Sequence, residues 1–334
     1  MIDRKHYSLL SHNTFGIDAK CQHYVEVEHA SEVGKVVALL KASATPYIII
    51  GGGSNLLLTQ DYQGLVLRSA IMGIEHLDDN RLRVGSGVEW DMLVDYSLQH
   101  QLYGAENLSL IPGDVGACAV QNIGAYGAEV CELICEIEAV DLQTGAFRTI
   151  RQEECQYGYR DSRFKHDWRN RFFITAVVFR FSTEYRPRLD YGNIRAELER
   201  RGISNPSASQ LRQVIIDIRR EKLPDPAVTG NAGSFFMNPV VSREKYEQLA
   251  AQYPQMPHYT IDAEHEKIPA GWMIEQCGWK GRSLGRAGVH PRQALVLVNL
   301  GGATGIEIVA LCQAIQQDVK QRFGIDIHPE VNII

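Results

Sequence analysis

Ser234 is the residue whose neighbours best equip it to hand on a proton. It stands in Gly-Asn-Ala-Gly-Ser-Phe-Phe-Met-Asn-Pro, residues 230–239, where turn-forming residues run directly into two phenylalanines that demand burial. Such a segment pins a hydroxyl at the rim of a rigid apolar wall, and a hydroxyl held there suits proton transfer to a very basic carbon. The same residues also read as a tight turn entering a strand, with Gly230 and Gly233 at positive φ and Ser234 as a local cap. Arg160, in Tyr-Gly-Tyr-Arg-Asp-Ser (157–162), offers either a fork for a carboxylate or a surface ion pair with Asp161. Glu330 lies among the last five residues. It reads as an exposed tail carboxylate or, because Ile327, Val331, Ile333 and Ile334 suggest a buried tail, as a carboxyl that burial keeps protonated.

Two glycine-rich loops lie upstream. The first, Gly-Gly-Gly-Ser-Asn-Leu-Leu-Leu from Gly51, follows a short strand, Tyr47–Ile50, after a strand-like His23–Glu28 and a helical pattern through Val33, Val36, Val37 and Leu40. Its amides can cradle phosphate, yet it is neither a Walker A loop nor a Rossmann fingerprint, since no Gly-Lys-Ser/Thr follows and Leu56 replaces the third glycine. The second runs from Ile111 to Gly127. Asp114 is expected to cap a short helix of small residues that Asn122, Gly124 and Gly127 end, and the helix N-terminus favours an anion. Close packing of a buried helix accounts for the same small residues.

The elements that must position these groups are legible from periodicity. Phe172–Phe181 reads as a strand, and a helix begins at Ser207 or Ser209 with Leu211, Val214, Ile215 and Ile218 on one face and Arg212, Arg219 and Arg220 on a solvated one. Pro224 stops that helix. Gln293–Asn299 reads as a buried strand, and Thr304 with Glu307 opens a core-facing helix through Ile308, Cys312, Ile315, Val319 and Phe323 that Gly324 ends.

Eight segments in order resemble those of the UDP-N-acetylenolpyruvoylglucosamine reductase family: NTFGI from Asn13, GGGSNLL from Gly51, IPGDVGA from Ile111, QNIGAY from Gln121, YGYRDS from Tyr157, KLPDP from Lys222, GNAGSFF from Gly230 and HPEVN from His328. The resemblance implies an α+β chain: an FAD-binding fold like that of the vanillyl-alcohol oxidase group, over 1–205, then a smaller α/β substrate-binding domain, over 206–334. It implies a bacterial cytoplasmic enzyme of peptidoglycan precursor synthesis that reduces an enolpyruvyl ether through non-covalent FAD, with NADPH as co-substrate. Reduced flavin would deliver hydride to the methylene carbon, Arg160 and Glu330 would stabilise the enolate, and Ser234 would supply the proton. Carried over by position, the cofactor contacts are Gly51, Gly52, Gly53, Ser54, Asn55, Pro112, Gly113, Gly116, Ala117, Gln121, Asn122, Gly124, Ala125 and Tyr126. The substrate contacts are Tyr159, Tyr191, Lys222, Asn238 and Gln293, with Tyr191 in an insertion over about 183–205 that marks one subgroup. Met237 stands where relatives often carry a basic residue, so a phosphate contact is not expected there. One constellation and no Rossmann fingerprint imply that NADPH and substrate share a cleft in ping-pong order. An oxidase of the wider FAD fold and a non-catalytic nucleotide-sugar binder stay open as alternatives.

Composition fits without adding chemistry. The 334 residues suffice for two cores, and 45% hydrophobic with 22% charged residues is ordinary for a globular protein. A net charge of −6 disfavours a nucleic-acid partner, no apolar run spans a bilayer, and the seven cysteines lack metal-site spacing. No metal and no membrane partner are therefore expected; a monomer is expected too, although composition does not bear on it.

Overall fold

The computed structural model describes residues 1–43 and 45–334. They form two compact units: Met1–Tyr7, Cys21–Gly53 and Tyr62–Glu221 make the first, and Ser8–Lys20, Ser54–Asp61 and Lys222–Ile334 the second. The expected division at 205/206 falls inside the first unit. The helix Ala208–Lys222 buries Leu211, Val214, Ile215 and Ile218 with Ile194 and Leu198 of the helix Ile194–Arg200, so hydrophobic burial holds it there.

The first unit contains two larger sheets and the two-stranded pair Gly124–Ala125 with Ala128–Glu129. In the four-stranded one, Tyr62–Ser69 lies between Lys20–Val27 and Tyr47–Ile50 and runs parallel to both, with the helix Val33–Ala42 as the crossover. The five-stranded sheet is antiparallel, in the order Phe147–Arg151, Ile134–Asp141, Phe172–Arg180, Arg81–Gly85, Ile74–His76. Phe172–Arg180 is buried along all but its last residue because both faces are covered. Phe172 and Ile174 enter the core around Trp90, a register irregularity opposite Glu138 and Ala139 shifts the alternation by one residue so that Val177 and Phe179 enter it too, and Phe173 points toward Val25, Val33 and Leu65. The short helix Val115–Gln121 packs into the Trp90 core through Val115, Cys118 and Ala119.

The second unit is built on an antiparallel sheet, Gly230–Asn231, Leu297–Asn299, Ala287–Val289 and Ser283–Leu284, against which the helix Gly305–Phe323 buries the expected apolar row. Thr304 and Glu307 form the capping box, and Gly324 takes φ 65° as the C-terminal cap. A smaller sheet, Val240–Ser242, His265–Lys267 and Tyr259–Thr260, closes over the buried Glu266, which accepts from Arg243, His258 and Thr260 at 3.0, 3.0 and 3.1 Å. The chain's last strand, Asn332–Ile333, runs parallel to Leu56–Leu57.

Several local expectations change. The buried strand begins at Leu297 rather than Gln293, because residues 293–296 turn back with Val296 N–H on the Gln293 carbonyl. Gly230 is extended, not at positive φ: a side-chain carbon there would lie 2.2 Å from the Phe15 carbonyl oxygen. The arginines of the helix Ala208–Lys222 do not form a solvated face. Arg212 grips Asp91 at 2.7 and 3.0 Å, the Nε of Arg219 is buried, and only Arg220 is exposed.

Two glycines make opposite predictions for stability. A side-chain carbon on Gly305 would lie 1.9 Å from the Leu58 carbonyl oxygen, so Gly305→Ala is expected to cost about 1–3 kcal/mol through forced backbone displacement. Gly34, on the helix Val33–Ala42, has nothing within 4 Å of that position, so Gly34→Ala is expected to gain up to about 1 kcal/mol. Denaturant titration of the two variants checks both signs.

Candidate active site

The two glycine loops lie against each other in the first unit. A side-chain carbon on Gly51 would sit 2.7 Å from Ala117 Cβ, and one on Gly52 would sit 3.1 Å from Asp114 Oδ1 and 3.6 Å from Gly113 Cα. Glycine is required here because another loop fills the space, not only because a ligand approaches. Gly53 and Gly113 take φ 69° and 119°, and Gly116 lets the helix close on Ser86, whose Cβ would be 2.9 Å from an added carbon. The backbone N–H groups of Gly51 and Gly52 donate to no acceptor among the described residues. Two neighbouring amides left this way in a glycine turn suit a phosphate anion. That fits the diphosphate of FAD.

Asp114 does not cap the helix, as its sequence position suggests it should. Val115 N–H bonds the Val88 carbonyl at 2.8 Å and Gly116 N–H the Ser86 carbonyl at 2.9 Å. Two of the first-turn donors are therefore taken by backbone, and the carboxyl caps none of them. The carboxyl instead turns under Gly52, where Oδ2 is buried without a hydrogen bond. Arg68 Nη2 stands 3.7 Å away, and its Nη1 is bonded to Glu26 at 2.8 Å. Burial raises the Asp114 carboxyl to about 6 against the pull of Arg68, with Glu89 and Glu26 adding to the rise.

At its other end the same helix leads to Arg160. Asn122 ends the helix in the left-handed region at φ 48°. Its fully buried side chain donates to Glu129 and to the Gly158 carbonyl at 2.9 and 2.8 Å and accepts from Cys131 N–H. Asn122 therefore organises the protein here. Arg160, itself at φ 55° in a two-residue turn between Gly158 and Asp161, donates to the carbonyls of Asn122 and Gly124. A side-chain carbon on Gly124 would lie 2.6 Å from the guanidinium, so that glycine makes room for it. The surface pair of Arg160 with Asp161 is not formed: Asp161 bonds His166 at 2.8 Å. The Arg160 guanidinium also lies 5.2 Å from the centre of the exposed Tyr159 ring.

Residues from the segment 183–205 lie against this loop. Asn107 donates to the carbonyls of Tyr126 and Arg188 at 2.8 and 3.1 Å, and the ring atoms of Tyr191 would lie 3.6–3.8 Å from a side-chain carbon on Gly127. Ala125 sits with Gly124 in a two-stranded turn against Ala128–Glu129. Gln121 closes the helix, half-buried, and Pro112 is exposed. Sequence reasoning missed Arg219. Burial lowers the pKa of its guanidinium, Tyr126 and Asp91 support its charge, and Arg160 opposes it. Only the position after Ile218 on an otherwise regular amphipathic helix could have flagged it, and that position reads equally as solvent-facing. Glu26 and Arg68 were missed too. They face each other across parallel strands, a pairing that spacing does not reveal.

In the second unit Ser234 is exposed while Phe235 and Phe236 behind it are fully buried. Phe235 packs edge-on against Phe15 and Phe236, with ring centres 6.1 and 5.2 Å apart. Gly233 takes φ 69° and anchors on the Asn231 side chain at 2.9 Å. The tail pairs with this segment: Glu330 N–H bonds the Phe235 carbonyl at 2.8 Å and Met237 N–H the His328 carbonyl at 3.0 Å. Glu330 is half-buried rather than enclosed, and Ile333 is exposed, because only Ile327 and Val331 turn inward. Asn55 holds the tail, donating to the Glu330 carbonyl at 3.2 Å and accepting from Asn332. Ser54 and Lys222 are half-buried. Asn238 accepts from Ala270 N–H at 2.9 Å, so its oxygen caps the helix Ala270–Gln276. The Gln293 oxygen faces Leu295 N–H at 3.3 Å. No group of three or more potential metal ligands occurs among the described residues, and no helix among them is long and apolar enough to cross a membrane.

Comparison with known proteins covers the whole chain. The family profile for an FAD binding domain matches residues 21–151. That for the C-terminal domain of UDP-N-acetylenolpyruvoylglucosamine reductase matches residues 225–334. The UDP-N-acetylenolpyruvoylglucosamine reductase of Bacteroides fragilis is 54% identical over 98% of this chain and 99% of its own length. That of Pseudomonas aeruginosa is 45% identical over 99% and 98%. The crystal structure of the Thermus caldophilus enzyme covers 99% of this chain and 98% of its own at a TM-score of 0.67 and 23% identity, a likeness of fold. With both halves matched and identity sustained from end to end, this chain belongs to the UDP-N-acetylenolpyruvoylglucosamine reductase family.

Proposed function

We propose that this chain is an FAD-dependent oxidoreductase that uses NADPH to reduce UDP-N-acetylglucosamine enolpyruvate to UDP-N-acetylmuramate in peptidoglycan precursor synthesis. One observation carries the reading: relatives named for this reductase align along 98% of the chain at 54% identity. Bound FAD supplies hydride transfer, from the nicotinamide to the methylene carbon of the enolpyruvyl group. The chain's own residues do the rest. The amides of Gly51 and Gly52, beside Pro112–Gly113 and Gly116–Ala117, hold the cofactor's diphosphate. Gln121, Gly124, Ala125 and Tyr126 line its further course.

Arg160 carries the central electrostatic task. Hydride arriving at the methylene carbon pushes negative charge onto the adjacent carbon and its carboxylate, and a guanidinium held by the Gly124 and Asn122 carbonyls is already oriented when that charge develops. Glu330 serves the same developing charge. Ser234 Oγ–H then protonates the carbon next to the carboxylate, completing addition of hydride and proton across the double bond. Tyr159, Tyr191, Lys222, Asn238 and Gln293 hold the nucleotide diphosphate and its surroundings. A monomer working in the cytoplasm with small-molecule partners alone completes the reading, supported by a net charge of −6 and 22% charged residues.

Replacing Ser234 with Ala is expected to leave NADPH oxidation near its normal rate while the half-reaction with the enolpyruvyl substrate slows by about 10²–10⁴-fold. Stopped-flow flavin absorbance measures the two separately, and equal slowing would make Ser234 structural. Arg160→Lys, which keeps charge but loses the fork, is expected to lower single-turnover reduction of substrate by about 10²–10³-fold with little change in substrate affinity. Combined with Glu330→Gln, the loss should fall well short of the product of the single losses, because groups serving one developing charge are not additive. Multiplicative losses would give Glu330 an independent role.

A further inference from the structure

The cofactor seat contains a charged residue that neither its capping position nor the reaction explains. Asp114 is 7% exposed. Its Oδ1 would be the nearest atom to a side chain on Gly52, at 3.1 Å, and its buried Oδ2 makes no hydrogen bond. Val115 and Gly116 N–H are bonded to backbone carbonyls, and the carboxyl makes no capping bond to the helix. The charged and titratable groups around it come from every neighbouring element. Arg68 on the strand Tyr62–Ser69 stands 3.7 Å away, Glu26 on Lys20–Val27 shares that arginine at 2.8 Å, Glu89 faces Asp114 across a backbone bridge, and Cys118 lies one helical turn on. One guanidinium thus serves two carboxylates with a third nearby, and Glu26 holds the closer contact.

We propose that Asp114 is a further residue of the cofactor seat, lying against the glycine loop from beneath and taking up a proton when the FAD diphosphate settles on Gly51 and Gly52. The reasoning rests on the FAD reading above. A diphosphate brings about two negative charges to amides that already border a buried carboxylate. Like charges at such distances, away from water, are relieved by protonating the group with the weakest ion-pair support. That group is Asp114, which burial and its acidic neighbours have already brought to about 6. Protonated, it also becomes a hydrogen-bond donor, which an anionic ligand favours and a carboxylate cannot provide. The residue is a positioning group and takes no part in hydride or proton transfer to substrate.

The sign follows from linkage. Because the anion raises the Asp114 pKa further, binding takes up as much as one proton between the free and bound values, so FAD affinity falls as pH rises above about 6, by up to about tenfold per pH unit. The test is equilibrium dilution of the holoprotein with released FAD read by fluorescence, from about pH 6 to about pH 8. Wild type is expected to loosen across that range. Asp114→Asn, an amide that needs no proton, should flatten the profile and hold FAD about tenfold more tightly than wild type at about pH 8, and Asp114→Glu should restore the slope. A structural role would instead loosen FAD equally at every pH. A pH-independent wild-type affinity, or a slope that persists in Asp114→Asn, overturns the proposal; wild type suffices if the variant does not fold. Absence of FAD from the protein at every pH would instead overturn the reading on which it rests.

Discussion

A side-chain carbon on Gly51 would sit 2.7 Å from Ala117 Cβ and one on Gly52 would press on the Asp114 carboxyl at 3.1 Å, and the arrangement of the first unit's site follows from that contact. It holds the end of the strand Tyr47–Ile50 against the helix Val115–Gln121, leaves the Gly51 and Gly52 amides without acceptors among the described residues, and places the Asp114 carboxyl beneath them. The buried carboxyl in turn requires a cation, which the parallel register supplies by placing Arg68 opposite Glu26. A larger residue at either glycine would separate the loops and release this whole set of interactions. That is why a cofactor loop here is also a packing interface.

The helix Val115–Gln121 has seven residues, about 10 Å of axis, and each end serves the site. Its beginning carries Asp114 and Ala117 under the first glycine loop; its end passes through left-handed Asn122 to the carbonyls that hold Arg160. Carbonyls at a helix C-terminus are the negative pole of its dipole, so a guanidinium there is stabilised before any substrate arrives. A shift of this short element would disturb the phosphate seat and the enolate-binding arginine together. Its apolar residues, Val115, Cys118 and Ala119, are locked into the core around Trp90, which makes such a shift costly.

The second unit solves a simpler problem: presenting one hydroxyl rigidly. Phe235 and Phe236 fill the interior behind Ser234, Gly233 provides the turn, and the tail is hydrogen-bonded alongside. Asn55 and the strand Leu56–Leu57 bind that tail in parallel pairing. Glu330 thereby rides on a backbone fixed by segments from near both ends of the chain, although its own side chain remains half in water.

The sequence by itself determined the elements whose signals are local. The strand Tyr47–Ile50 and the helix Gly305–Phe323 with its capping box came out as expected, since a short apolar run bounded by Pro46 and glycines, 3.6-residue periodicity and capping chemistry act over a few neighbours. The motifs also carried the family, because eight ordered segments are specific even when each alone is ambiguous. Tertiary structure alone decided which polar groups meet. Asp114 looks like a cap, yet its carboxyl turns away from the helix amides, Arg219 and Arg212 look solvated until Tyr126 and Asp91 face them, and the Asn122 amide is engaged by Glu129 and Gly158. The unit boundary moved for the same reason: the helix Ala208–Lys222 stays where its apolar face is buried, with Ile194 and Leu198. Periodicity states that a face will be covered, but burial and charge pairing are settled by residues distant in sequence, and only the folded chain brings those together.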